Sequence, residues 1–379
     1  MLVHDLPPPI RNLGGEEEIA ALADRRGRVG RTMAEAIVCD ALADRFPEAR
    51  MSTDTLRHDG AGSLEVVALG ETMIMFGPPG HELLEHSETF RALIGGAEAN
   101  VAVGLERLGI HVGWIGKLPR NALGRWVVNG TRRYGVDTSA VVWSDEGRVG
   151  TFFVEFGAQP RPTKTIYDRA GSAATTLTAD ELDWNYIAQA RWLHMTGIMP
   201  ALSPTCRAST PEIVRRARAR GVKVSFDLNY RSKLWPPQEA RTAWDEILPH
   251  VALIITTEPD AALLLDSALD REAALRAIFD RYRPDAVAMT CGGQGSAAYD
   301  GKEVIQSPSW KLELVNRLGA GDAFAAGLLY GLIKADLRAG LAYGNAMSAL
   351  KFTVPQNLPL IDIEDVEHLL AGQDLRLVR

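Results

Sequence analysis

Residues 314–324 read Leu-Val-Asn-Arg-Leu-Gly-Ala-Gly-Asp-Ala-Phe, and a helical pattern rich in alanine, glycine and leucine follows to about Ile333. Gly319 and Gly321 stand where this helix should begin, and glycine lets a backbone approach an anion closely. The free N–H groups of a first helical turn, together with the helix dipole, attract such an anion. The carboxylate of Asp322 would repel a bound anion, but it can take a proton from a hydroxyl group that attacks phosphorus. The alternative is that Asp322 only stabilises the start of the helix.

The rest of the chain alternates between short apolar runs and helical patterns. The runs lie at 66–69, 112–115, 192–195, 222–226, 252–255 and 286–289. Continuous apolar strands that alternate with helices predict an α/β fold with a doubly wound, mainly parallel sheet and helices on both faces. Two further segments, within 71–85 and 151–167, have an extended, alternating pattern and predict a small separate β-sheet.

The composition argues against several classes of function. The chain has 379 residues, a formal net charge of −7 and no basic stripe, so nucleic acid is not an expected partner. Its apolar runs are much shorter than the ~20 residues of a membrane-spanning helix, so no membrane partner is expected. The three cysteines, Cys39, Cys206 and Cys291, have neither zinc-site nor disulfide spacing, and the N-terminus does not read as a secretion signal. We therefore expect a protein of the cytoplasm.

Residues 1–63 differ from the remainder of the chain. A proline run and a helix-like stretch to about Phe46 are followed by a polar linker from Met51 to Ser63. We interpret 1–63 as an N-terminal extension that is helical or partly disordered, and 64–379 as the main domain. A docking helix, or a native start at Met51, are the alternatives.

The segment 314–324 resembles the C-terminal signature of the ribokinase-like (PfkB-type) carbohydrate kinases. This resemblance implies that Gly319, Ala320 and Gly321 form the anion hole for the transferred phosphoryl group and that Asp322 is the general base. It also implies a ribokinase-like fold, in which the small sheet acts as a lid over the active site.

A second segment, residues 95–102, reads Gly-Gly-Ala-Glu-Ala-Asn-Val-Ala and resembles the N-terminal signature of the same family. There the paired glycines lie under the sugar, and the asparagine hydrogen-bonds its hydroxyl groups. Carried over, Gly95 and Gly96 would lie under the substrate and Asn100 would bind it. Pro119 departs from the pattern, because the family usually has a glycine there.

Residues 290–296 read Thr-Cys-Gly-Gly-Gln-Gly-Ser and resemble the turn that contacts ATP in the family. A surface hairpin is the alternative reading of this stretch. No Walker A sequence is present, which disfavours a P-loop kinase. The resemblance implies ATP and Mg²⁺ as cofactors. The residues that it implies in ATP binding are Thr290, Gly292, Gly293, Gly295, Gly319, Gly321 and Asn345.

Two departures concern metal ions. The Asn-x-x-Glu motif that the family links to magnesium reads Thr257-Glu258-Pro259-Asp260 here, so the role would fall to Asp260 or Glu258, and the choice stays open. The family often has Asp-Thr before its Gly-Ala-Gly-Asp, in a region that helps to bind a monovalent cation. The corresponding residues are Asn316-Arg317. The amide oxygen of Asn316 can still ligate a cation, though with less charge, so dependence on potassium also stays open.

The substrate is indicated by two segments that resemble those of 2-keto-3-deoxygluconate kinases, residues 166–173 and 225–235. That substrate carries a carboxylate, for which arginine is the natural partner through charge-assisted hydrogen bonds. The resemblance assigns five residues to substrate binding, namely Arg169 and Arg231, with Tyr167 covering the substrate, and Asp227 and Asn229.

The resulting prediction is a kinase that transfers the γ-phosphoryl group of ATP to a primary hydroxyl of 2-keto-3-deoxygluconate. The alternatives are a kinase for another sugar, such as fructose or 5-keto-2-deoxygluconate, and a sugar-binding sensor that has lost catalysis. An unpaired edge of the lid sheet would favour a homo-oligomer, a dimer or higher.

Overall fold

The computed structural model describes residues 64–372 apart from residue 159, so the predicted extension over 1–63 lies outside the described residues. The strands are β1 (Val66–Leu69), β2 (Met73–Gly77), β3 (Arg91–Gly95), β4 (Val112–Ile115), β5 (Lys117–Pro119), β6 (Val142–Ser144), β7 (Thr151–Glu155), β8 (Lys164–Asp168), β9 (Trp192–Thr196), β10 (Lys223–Asp227), β11 (Leu253–Thr257), β12 (Ala286–Thr290), β13 (Ser296–Tyr299) and β14 (Val304–Ser307). The helices are α1 (Ala97–Arg107), α2 (Ala122–Arg132), α3 (Trp184–Ile187), α4 (Ile198–Ala201), α5 (Pro204–Ala219), α6 (Pro237–Ile247), α7 (Glu258–Leu265), α8 (Arg271–Tyr282), α9 (Ala320–Lys334), α10 (Leu337–Phe352) and α11 (Ile363–Leu370).

The main sheet has eight strands among the described residues, in the order β14-β13-β12-β11-β10-β9-β1-β4. Neighbouring strands from β12 to β4 are parallel, whereas β13 and β14 run antiparallel at one edge. The predicted α/β class with a mainly parallel sheet is therefore confirmed. The sequence pattern did not separate β13 and β14, because each strand is only four residues long.

Helices cover both faces of this sheet because alternate strand residues point to opposite sides. Val67 and Leu69 of β1 belong to one apolar cluster, which also contains buried residues of α5, α6, α7 and α8. Val66 and Ala68 belong to the other, together with buried residues of α1, α2 and α9. Polar caps start several helices, as Ser203 does for α5 by accepting from the backbone N–H of Cys206.

Helices α9 and α10 pack so closely that their backbones are in contact at two glycines. A Cβ atom on Gly327 would overlap the backbone of Tyr343, and one on Gly331 would overlap the backbone of Gly340. The two helices are antiparallel and joined by two residues, so the start of α9 lies beside the end of α10. This pair therefore presents one end toward the functional site.

A second sheet of four strands has the order β3-β2-β7-β8. Strands β2 and β7 fall in the two segments predicted for a small sheet, β8 extends one residue beyond the second segment, and β3 (Arg91–Gly95) lies outside both. The first three residues of β3 are exposed or half-buried, so the strand lacks the apolar pattern that identified the others. The sheet joins the main one directly, because only three residues separate β1 from β2.

Within the described part of the chain, no helix has the length and apolar character needed to cross a membrane.

Candidate active site

Asp322 lies in the first turn of α9, and Gly319 precedes this helix with a φ of 80°, in the left-handed region that favours glycine. A side chain on Gly319 would also overlap the carbonyl of Asn357. In contrast, a Cβ on Gly321 would meet no atom of the described chain within 4 Å. The backbone at Gly321 is therefore open to a ligand at the start of the helix. Ala320 N–H already donates to the Arg317 carbonyl at 3.3 Å, which leaves it less free for an anion than the prediction implied.

The carboxylate of Asp322 is held by Asn100 of α1, whose Nδ2 donates to Oδ2 at 2.6 Å. Asn357 continues this chain of contacts, since its Nδ2 donates to Asn100 Oδ1 at 3.3 Å and to the Ile94 carbonyl at 3.0 Å. Burial raises the pKa of Asp322, and the hydrogen bond from Asn100 opposes the rise. The raised pKa and the fixed orientation both favour the acceptance of a proton by this carboxylate.

A cavity of about 100 Å³ adjoins Asp322 at the boundary of the two sheets. Eight of the predicted site residues line it, namely Gly95, Gly96, Asn100, Tyr167, Arg169, Arg231, Gly319 and Asp322. Gly96 fits because a Cβ there would overlap the Glu71 carbonyl, and Gly95 fits because a Cβ there would stand 2.6 Å from the ring of Phe152. The glycines are therefore required by the packing of the cavity floor.

Arg169 is already paired inside this cavity. Its Nε donates to Glu71 Oε2 at 2.7 Å, and its Nη2 donates to the same oxygen. Ser172 Oγ donates to the other Glu71 oxygen at 2.5 Å. This ion pair joins the segment after β1 to the segment after β8. The pair is buried, since Glu71 is 4% exposed. The guanidinium of Arg169 lies 5.6 Å from the ring centroid of Tyr167.

Arg231 differs from Arg169 because its side chain is exposed and has no hydrogen-bond or ion-pair partner among the residues the structure describes. It lies near Asp227, at the end of β10. Burial, helped by Asp260 and Asp322, raises the pKa of Asp227 to about 8, and Arg231 opposes the rise. Asn229 follows with a φ of 40° and donates its backbone N–H to Asp227 Oδ1 at 3.0 Å. Asp227 and Asn229 are thus beside the cavity and not in its lining.

The turn after β12 carries Gly292 and Gly293, which are exposed and would place a Cβ in open space. Gly295 has a φ of 89° and packs on the Ser307 carbonyl. Asn345 donates to the carbonyls of Ser307 at 2.9 Å and Pro308 at 3.2 Å, so its amide supports the segment beside this turn. The role of these residues in binding ATP remains a prediction.

The two carboxylates suggested for magnesium have different surroundings. Glu258 accepts two hydrogen bonds from Arg271, at 3.1 Å and 3.0 Å, and Arg271 also contacts Gln294. Asp260 is half-buried, accepts from the Tyr230 N–H at 3.3 Å and raises the pKa of Asp227. The described residues contain no group of three metal-ligating side chains.

Asn316 is engaged on both sides of its amide. Its Oδ1 accepts from Leu318 N–H at 3.0 Å, and its Nδ2 donates to the carbonyls of Pro355 at 2.6 Å and Gln356 at 3.4 Å. The predicted use of Oδ1 as a cation ligand therefore competes with a backbone hydrogen bond.

Four polar residues of the site were not identified from the sequence, namely Glu71, Glu98, Lys351 and Asn357. Glu98 is 1% exposed and accepts from Thr196 Oγ1 at 2.7 Å, and burial raises its pKa to about 7. Lys351 is fully buried in the last turn of α10. None of the four forms part of a motif that assigns it a role, and only the proximity of Glu98 to the glycine pair was a local signal.

A model of the pfkB family of carbohydrate kinases matches residues 63–358. The chain is 38% identical over 316 residues to a 2-dehydro-3-deoxygalactonokinase of Haloferax volcanii. The alignment covers 83% of this chain and 99% of the Haloferax protein. It is 31% identical over 292 residues to a 5-dehydro-2-deoxygluconokinase of Shouchella clausii, with coverage of 76% and 89%. The crystal structure of a 2-dehydro-3-deoxygluconokinase from Thermotoga maritima superimposes with a TM-score of 0.78 and 31% identity, over 82% of this chain and 99% of that one.

Proposed function

The chain belongs to the PfkB family of carbohydrate kinases, and from this premise we propose that it phosphorylates a 2-keto-3-deoxy sugar acid. The γ-phosphoryl group of ATP would pass to the primary hydroxyl of 2-keto-3-deoxygluconate or of its epimer 2-keto-3-deoxygalactonate. The observation that carries the proposal is a single cavity that holds Asp322 and the unpaired cation of Arg231.

Asp322 is the general base of the proposed reaction. Asn100 fixes one carboxylate oxygen by donating to it at 2.6 Å, which leaves the other oxygen for the substrate hydroxyl. As the hydroxyl oxygen forms its bond to the γ-phosphorus, the bond from that phosphorus to the β–γ bridging oxygen breaks and ADP leaves. The hydroxyl proton passes to Asp322, while the open backbone at Gly321 and the α9 dipole stabilise the transferred phosphoryl group.

The acid group of the substrate is the part that Arg231 would bind. The charge of Arg169 is already compensated by Glu71, so it contributes less net attraction for an anion than Arg231 does. Two named relatives act on keto-deoxy sugar acids, which agrees with a carboxylate in the substrate. The match to a 5-dehydro-2-deoxygluconokinase makes 5-keto-2-deoxygluconate the second candidate, and this compound is also an acid.

The proposal includes ATP and Mg²⁺ as the cofactors of the reaction. Magnesium retains several water ligands and needs only one or two carboxylates in addition to the nucleotide phosphates. Asp260 fits this role better than Glu258, because it adjoins Asp227 at the carboxyl edge of the sheet whereas Arg271 neutralises Glu258. When bound, the ion neutralises phosphate charge, and the chain itself orients the acceptor hydroxyl.

The experiment is a panel of acceptor sugars in an ADP-release assay with MgATP. The panel contains 2-keto-3-deoxygluconate, 2-keto-3-deoxygalactonate, 5-keto-2-deoxygluconate and fructose. We expect the highest kcat/KM for a 2-keto-3-deoxy acid, with ³¹P NMR locating the phosphate on the primary hydroxyl. A preference for fructose would refute the substrate class, and tight sugar binding without ADP release would favour the sensor.

The proposal also includes a cytoplasmic location, where ATP is available, and a homodimer formed through the small sheet. Ile166 on the edge strand β8 is 57% exposed, the highest value among the large apolar residues that the structure describes. Light scattering after size exclusion tests the dimer, and Ile166→Lys should shift the mass toward that of the monomer.

A further inference from the structure

Lys351 is fully buried at the end of α10, directly beneath the turn that starts α9. Its Cε would stand 3.4 Å from a Cβ placed on Gly319. A buried lysine is costly unless its charge is compensated, and the proposed role for the Gly319 turn is to bind an anion. Lys351 therefore lies where a fixed positive charge can act on the proposed anion hole from behind.

Within the part of the chain that the structure describes, the contacts of the ammonium group leave most of its hydrogen-bonding capacity unused. Lys351 Nζ donates to the Val354 carbonyl at 3.3 Å, which uses one of its three N–H groups. The charged group that interacts with this ammonium is Asp322. Lys351 lowers the pKa of Asp322, and Asp322 raises the pKa of Lys351, as expected for opposite charges. Burial lowers the pKa of Lys351 to about 8, so the ammonium form persists near neutral pH.

The neighbouring loop does not fit a bound monovalent cation. Three consecutive carbonyls, those of Val354, Pro355 and Gln356, accept hydrogen bonds from Lys351 or from Asn316 Nδ2. A cation requires oxygen atoms directed at it, whereas these oxygens face N–H donors. Lys351 and Asn316 thus direct N–H donors at the carbonyl oxygens of this loop, beside the Asn316 amide that the family resemblance implied as a cation ligand.

We propose that the Lys351 ammonium is a built-in substitute for the monovalent cation, a positioning residue that holds positive charge under the Gly319 turn. The inference rests on the proposed phosphoryl transfer at Asp322. Its consequence is that turnover does not depend on potassium, because the charge is covalently part of the protein. Preorganised charge of this kind stabilises the transition state without reorganisation during the reaction.

The first test measures kcat of the wild-type protein in tetramethylammonium chloride, NaCl, KCl and NH₄Cl at constant ionic strength. Tetramethylammonium is too large to enter a cation site made of carbonyls. We expect the four values to agree within about twofold. Activation by potassium of more than about tenfold would overturn the proposal.

The second test removes the charge. Lys351→Met should lower kcat roughly 10- to 100-fold, less than the loss of a direct oxyanion donor, and should change KM for the sugar little. Ammonium or potassium should restore part of the lost kcat, which a merely structural role would not allow. Lys351→Gln keeps a donor for the Val354 carbonyl without the charge and should behave like Lys351→Met. Lys334→Met makes the same exchange at the exposed end of α9 and should leave kcat unchanged.

Two results of the second test would overturn the proposal. One is wild-type kcat in Lys351→Gln, and the other is a loss of kcat in both variants that no cation relieves. The melting temperature gives a readout that needs no sugar, since ammonium should raise it in Lys351→Met and not in the wild type. If no sugar of the panel were phosphorylated, the proposed function would be refuted, but the effect of ammonium on the melting temperature could still be measured.

Discussion

Replacement of Arg231 by methionine tests whether the cavity recognises a carboxylate. Arg231 is exposed and unpaired among the described residues, so its removal should change the free energy of unfolding by less than about 0.5 kcal/mol. A hydrogen bond to a charged group is worth about 1.5–3 kcal/mol, and about 2 kcal/mol corresponds to a roughly 30-fold fall in kcat/KM for the acid substrate.

The assay compares the sugar acid with its methyl ester, which keeps every hydroxyl group and lacks the negative charge. Arg231 also influences Asp227, Asp260 and Asp322, so part of its effect will appear with both compounds. The ratio of the two losses isolates the carboxylate contribution. We expect about 30-fold for the acid and less than about threefold for the ester.

Two further variants serve as controls. Arg231→Lys keeps the charge and should recover part of the activity with the acid. Arg169→Met leaves the Glu71 carboxylate buried without its partner, so it should lower the free energy of unfolding by about 3–5 kcal/mol. Equal losses for acid and ester in Arg231→Met would refute the assignment of Arg231 to the carboxylate.

Three other predictions concern the base, the glycine turn and a buried acid. Asp322→Asn should retain its melting temperature and sugar binding but lose about 10²- to 10⁴-fold in kcat, and near-wild-type turnover would contradict its role as base. Gly319→Ala should destabilise the fold, because φ is 80° and the new methyl group would overlap the Asn357 carbonyl, whereas Gly321→Ala should keep the melting temperature and lose ATP turnover. Glu98 has its pKa raised from 4.5 to about 7, so the folded state binds the extra proton and stability falls as pH rises between these values, by up to about 3 kcal/mol. Urea unfolding at pH 5 and pH 7.5 should therefore show a smaller decline for Glu98→Gln than for the wild type, and parallel declines would rule out this contribution.

The sequence was sufficient to predict the α/β class because the parallel strands are buried on both faces and read as continuous apolar runs. Strand β3 was missed because Arg91 and Ala92 are exposed, and its pairing with β2 depends on tertiary contacts. Short strands at a sheet edge carry too few residues for a periodic pattern to emerge.

The glycine turns and Asp322 could be predicted as site residues because the motifs that indicate their chemistry are contiguous in the sequence. The charge and hydrogen-bond partners of the neighbouring residues could not be predicted, because they depend on contacts between distant parts of the chain. Glu71 and Arg169 are 98 positions apart, and their pairing decides that Arg169 is not a free cation. Lys351 has the sequence position of an ordinary basic residue in the last turn of a helix, which is usually exposed.

The backbone contact between α9 and α10 has a practical consequence for anyone who wishes to alter this protein by random mutagenesis and selection. Gly327 and Gly331 do not line the cavity, yet any larger residue at these positions would push the two helices apart. Such a wedge would displace Asp322 from its partner on α1 and lift the Gly319 turn off Lys351. Inactive clones from a library should therefore cluster at these remote glycines as densely as at the cavity itself. A library aimed at new acceptors should leave the helix pair constant and vary the small sheet, whose Phe152 and Tyr167 line the cavity.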